Sequence, residues 1–193
     1  SFANSIVSLF MPFATLGLDS IITRELVEKK EKEDQIMGSS FLLRLIGSLF
    51  LVIISILISF FLNKTSANLI FFVAILAIGR IFKSFDVIIF WFRSKLLSKY
   101  GALSRIISFI VISAFQVIVI LLNGPLITFV WLSGLLLTLN AIVYLFYYRK
   151  LGKKIKNWKF NLRYADKLLS SSWPLFISGF AIAIYMRIDS III

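Results

Sequence analysis

The chain has 193 residues, 60% of them apolar, a net charge of +12, and neither cysteine nor histidine. A soluble domain holds about 45–50% apolar residues, and a chain this short cannot bury so many long runs, so a soluble globular fold is excluded. The missing residue types exclude disulfides, thiol nucleophiles, zinc sites of the usual kind and imidazole catalysis, and the runs do not alternate as a β-barrel requires.

Six apolar segments follow one another, at 2–22, 36–62, 69–92, 102–122, 126–148 and 168–193. Each meets or approaches the ~20 residues that cross hydrocarbon as a helix. The expected fold is therefore all-α, a polytopic helical membrane protein with six visible transmembrane helices.

The first segment carries Asn4, Ser8, Thr15 and Asp19 on one face, at 100° per residue, with Pro12 as a kink point. In the charged stretch that follows, Glu25–Lys29 and Glu28–Lys32 are spaced i,i+4 and are expected to pair on a short helical extension. The second segment repeats the polar stripe with Ser40, Arg44, Ser48, Ser55 and Ser59. In the third, Arg80 lies roughly 17 Å along the helix from Leu69, close to mid-membrane. Lys83 and Asp86 are spaced i,i+3 and can pair. The fourth carries Arg105, Gln116 and Asn123 on one face. Three helices with one polar face each suggest a bundle around a hydrated interior. The sixth opens with Ser170-Ser171-Ser172-Trp173-Pro174 and carries Arg187 and Asp189, which point about 200° apart on a helix. At least one of the two faces the interior, and Asp19 is their candidate partner.

The connections sort by charge. Those after the first, third and fifth segments are basic, the last with Arg149, Lys150, Lys153, Lys154, Lys156, Lys159, Arg163 and Lys167. The other two hold only Lys64 and no charge at all. The positive-inside rule places the basic set in the cytoplasm and Ser1 outside. An earlier helix is expected before Ser1 and further chain after Ile193. The 149–167 stretch is expected to lie on anionic headgroups, with Trp158 and Tyr164 at headgroup depth. The basic charge is thus assigned to membrane lipids and topology, not to nucleic acid.

Burying an ionised group in hydrocarbon costs about 2.5–3.5 kcal/mol on insertion scales. Arg44, Arg80, Lys83 and Arg187 outnumber Asp19, Asp86 and Asp189 inside the spans. A cavity lined this way attracts phosphate or an acidic sugar, whose oxygens suit the guanidinium fork. The cations are the candidate substrate-binding residues. The aspartates are candidates for ion coupling or helix pairing.

Several blocks also resemble one family. They are Leu16-Gly17-Leu18-Asp19 with Arg24-Glu25-Leu26; Arg44-Leu45-Ile46; Phe90-Trp91-Phe92-Arg93-Ser94 with Lys99-Tyr100; Ser171-Ser172-Trp173-Pro174; and Tyr185-Met186-Arg187-Ile188-Asp189. Together and in order they resemble Wzx-type oligosaccharide flippases, polysaccharide biosynthesis proteins of the MATE-like superfamily. Ser190 departs from the glutamine often found there. The resemblance implies five helices of an N-terminal lobe at 1–148, its first helix missing, a basic cytoplasmic linker at 149–167, and the truncated first helix of a second lobe at 168–193. It implies a multi-pass protein of the bacterial plasma membrane that is not an enzyme and uses no cofactor or metal. Such a protein moves undecaprenyl-pyrophosphate-linked repeat units for O-antigen, capsule or exopolysaccharide assembly, with other polysaccharide-assembly proteins as further partners. Alternating access between two lobes is the implied mechanism. The rival readings are a MATE-type small-molecule or ion antiporter and a membrane polymerase or transferase. The latter would need a catalytic His, an Asp-rich metal motif or a large outer loop, none of which is found.

Overall fold

The computed structural model describes residues 7–62 and 67–187. Its helices are α1 (Met11–Thr15), α2 (Asp19–Glu28), α3 (Glu33–Leu62), α4 (Ala67–Ile81), α5 (Val87–Ser94), α6 (Ser98–Leu121), α7 (Leu126–Lys150) and α8 (Leu162–Arg187). Three 3₁₀ turns, Lys30–Lys32, Phe82–Asp86 and Ile155–Asn157, join them. No strand occurs among the described residues, so the all-α expectation holds.

Among the described residues, four helical stretches are long and apolar enough to cross a membrane: Lys30–Phe61, Ser98–Leu121, Ile127–Lys150 and Leu162–Met186. The expected six are not all found among them, and within the described residues the first and third apolar segments are interrupted. Pro12 opens α1, where a missing N–H costs nothing. The chain leaves that helix through Leu16 and Gly17, both at positive φ, before α2 begins. The third segment is split by the 3₁₀ turn at Phe82–Asp86, which separates α4 from α5.

Helix ends follow their charges. Glu33 and Asp34 occupy the first turn of α3, and Arg149 and Lys150 the last turn of α7, each complementing the helix dipole. Helix α3 is central, packing on α1, α4 and α8, while α7 packs on α4 and α6. In lipid, burying apolar surface drives little association, so close van der Waals fit must do more of the work. The α4–α7 crossing shows this: a Cβ built on Gly79 would lie 3.0 Å from the Gly134 Cα.

Two apolar clusters result. One gathers Leu18, Ile22, Leu26, Met37, Ile88, Phe92, Tyr148 and Leu168 toward the basic end. The other holds Val7, Phe10, Ala14, Leu51, Val73 and Ala77. The outer faces stay apolar, with Phe50, Ile53, Phe109 and Trp173 all more than half exposed, as a lipid-facing surface requires.

Candidate functional site

Arg44 is the most deeply enclosed cation, at 1% exposure. It sits on α3, roughly 16 Å along the helix from Glu33. Its Nη1 donates to Asp19 Oδ1 at 2.6 Å, and its Nη2 lies 3.9 Å from Asp86 Oδ2. The Phe90 ring covers the guanidinium at 5.2 Å. Three elements therefore meet at Arg44: the start of α2, the middle of α3 and the 3₁₀ turn before α5. Ser48, one turn along α3, approaches Ser84 on that turn at 3.4 Å. Arg44 Nε finds no hydrogen-bond partner among the described residues. The two carboxylates differ in access: the Asp19 side chain is 54% exposed, that of Asp86 only 22%.

Lys83 lies within electrostatic reach of Asp86, Arg80, Arg44 and Asp19, and Arg105 within reach of Asp86. The ion pair of Asp86 is nevertheless with Arg44, not with its i,i+3 neighbour Lys83. The turn Phe82–Asp86 packs against α3, which brings the carboxylate to Arg44. Asp19 likewise pairs with Arg44, a partner its sequence spacing does not suggest. The Arg187 side chain and Asp189 lie outside the described residues, as does Asn4.

Among the described residues, the polar stripes border different hollows. Ser8 and Thr15 border a cleft of about 420 Å³ between α1 and α8, with Gly17, Phe176 and Gly179. Ser40, Ser48, Ser55 and Ser59 are buried along α3 against its neighbours. Arg80 and Gln116 line a separate cavity of about 480 Å³ between α4, α6 and α7, together with Ser133. Arg105 is exposed and donates back to Gly101 O at 3.4 Å.

At the basic end, two buried carboxylates that composition alone does not single out collect the lysines. Glu25, 2% exposed, accepts from Lys29 at 2.7 Å and from Lys167 at 2.6 Å. Burial raises its carboxyl pKa, but the hydrogen bonds from Lys167 and Lys29 outweigh that and hold it below the usual value of 4.5. Glu33 sits 2.8 Å from Lys95 and 2.7 Å from Lys153. A signal for Glu25 was present: it shares a helix face with the buried Ile21, Ile22 and Leu26. The expected Glu28–Lys32 pair does not form, because α2 stops at Glu28 and Lys32 falls in a 3₁₀ turn. Glu28 instead faces Arg24 at 3.8 Å.

The basic linker folds back onto α3. Trp158 packs against Phe41 at 5.4 Å and donates to the Tyr148 hydroxyl at 3.1 Å. Lys159 N donates to Asp34 O at 3.0 Å, and Ser39 Oγ both accepts from Asn161 N and donates to Asn161 O, each at 3.1 Å. Tyr164 is buried, with Lys29 and Lys32 each 5.7 Å from its ring.

Long apolar helices, internal ion pairs and a basic end define an all-helical membrane protein. The chain belongs to the polysaccharide biosynthesis protein family, the family of Wzx-type flippases, whose model matches residues 1–193. That membership, with helices of membrane-spanning length, fits a flippase or transporter role. No curated protein and no solved structure matches the chain.

Proposed function

We propose that this protein moves undecaprenyl-pyrophosphate-linked oligosaccharide repeat units across the bacterial plasma membrane, as a multi-pass transporter and not an enzyme. In this reading residues 1–148 form five helices of one lobe, 149–167 the linker, and 168–193 the first helix of a second lobe. The lobes alternate in access, and the cleft between α1 and α8 is one wall of the path between them. Arg80, Lys83 and Arg187 add positive potential for the pyrophosphate, while Asp86 and Asp189 hold helices or coupling ions.

The single observation that carries the reading is the Asp19–Arg44 pair, a half-exposed carboxylate closed at 2.6 Å on a cation of 1% exposure. A buried guanidinium needs a counter-anion. A proton or cation taken up by Asp19 would leave Arg44 short of one, and a pyrophosphate oxygen can replace it. Ion uptake at Asp19 and substrate binding at Arg44 then favour each other, which links the two without direct contact.

The test is transport of lipid-linked oligosaccharide in vesicles containing the protein. Arg44→Gln is expected to lower transport at least about tenfold while the protein still inserts and folds. Asp19→Asn is expected to retain transport but lose its dependence on an ion gradient. Full transport by a folded Arg44→Gln protein would end the proposal.

A further inference from the structure

Helix α7 ends in two cations that no carboxylate claims. Arg149 and Lys150 are both exposed, and among the described residues neither forms an ion pair. Of the other cations at this end, Lys153 and Lys95 are held by Glu33, and Lys167 by Glu25. Arg149 and Lys150 stand with Ile142, Leu145 and Phe146 around a hollow of about 590 Å³.

That hollow, lined by α7, adjoins another one further along the helix. Ile142 also borders a second groove, of about 240 Å³, between α6 and α7. Phe115, Leu135, Leu139 and Thr138 line it. The Thr138 hydroxyl is spent on Gly134 O at 3.3 Å, so the groove offers a ligand only hydrocarbon. From Thr138 to Arg149 the helix rises roughly 16 Å, close to half of a ~30 Å hydrocarbon core. An apolar slot one leaflet deep, with two free cations at its mouth, matches a lipid carrying an anionic headgroup.

We infer that the α6–α7 groove is a binding site for an anionic phospholipid. The phosphate sits between Arg149 and Lys150, and an acyl chain runs past Phe146 and Ile142 into the groove. Basic pockets between membrane helices favour such headgroups, each cation adding attraction near an anionic surface. The site is distinct from the α1–α8 cleft that borders the proposed transport path. Helix α8 packs on α1, α2 and α3, whereas α6 packs on α5 and α7.

The experiment titrates the detergent-purified protein with phosphatidylglycerol, and separately with zwitterionic phosphatidylcholine, reading bound lipid by native mass spectrometry and the unfolding midpoint. Phosphatidylglycerol is expected to bind and raise the midpoint, and phosphatidylcholine to do neither. Arg149→Gln with Lys150→Gln is expected to weaken binding about 30-fold, the equivalent of about 2 kcal/mol. Leu139→Trp, which fills the groove and keeps both cations, is expected to weaken it as well. Lys154→Gln with Lys156→Gln is expected to change nothing. Equal binding of the two lipids, or equal loss from the Lys154/Lys156 variant, would overturn the site. So would displacement of phosphatidylglycerol by undecaprenyl pyrophosphate at lower concentration, since that would make the groove a substrate seat.

Discussion

Glu25 is a carboxylate whose burial and whose partners pull its proton affinity in opposite directions. Its pKa is held below 4.5 against desolvation by hydrogen bonds from Lys167 and Lys29. A folded-state pKa below the unfolded value contributes stability that is present above pH 4.5 and lost as pH falls through the folded value. Thermal unfolding in detergent should therefore change little from pH 7 to 5 through this group and fall below pH 4.5. Glu25→Gln should unfold at lower temperature at pH 7, since hydrogen bonds to charged groups contribute about 1.5–3 kcal/mol. It should also show a flatter acid limb. Half of this contact was legible in the sequence. Lys29 is one helical turn from Glu25, a local spacing, but Lys167 is 142 residues away and no local pattern points to it. The same limit applies to Arg44. Its burial follows from its place on a polar stripe in an apolar segment, whereas its partner, 25 residues earlier, follows only from how α2 lies against α3.

At the scale of elements, the α1–α2 junction depends on backbone shape. Gly17 has φ +63°, and a Cβ there would lie 2.7 Å from Phe176 N and 2.9 Å from Ser172 O on α8. Gly152 has φ +79° with nothing within 4 Å. Both lose the glycine advantage in left-handed backbone, about 1–2 kcal/mol on substitution by Ala. Only Gly17→Ala also pushes α8 away. Its unfolding midpoint should drop clearly more than that of Gly152→Ala, and equal drops would show that the close approach to α8 carries no energy. The third apolar segment marks where element reading fails. Neither Gly nor Pro lies between Ile81 and Val87, so no local breaker announces the 3₁₀ turn. Its position coincides with contacts to α3 and α7, which are tertiary.

For the whole molecule, the basic connections are gathered on one end by Glu25 and Glu33, which tie Lys29, Lys95, Lys153 and Lys167 to α2 and α3. The chain has no cysteine, so single substitutions can report topology without background. A membrane-impermeant maleimide applied to intact cells should label Leu122→Cys, at the neutral end, and spare Lys156→Cys until the membrane is opened. The reverse pattern would invert the topology.

The residues alone fix what is additive and local: which stretches prefer hydrocarbon, which connections carry positive charge, and which residues share a helix face. Hydropathy and helical period need no knowledge of neighbours, so the all-helical membrane character followed from them. Which charge meets which was settled by packing in three dimensions. It closed Asp19 and Asp86 on Arg44, moved Arg80 into a cavity of its own, and folded the basic linker onto α3. The physical reason is that an ion in a low-dielectric bundle takes the nearest available counter-charge in space, and distance in space is set by packing, not by position along the chain.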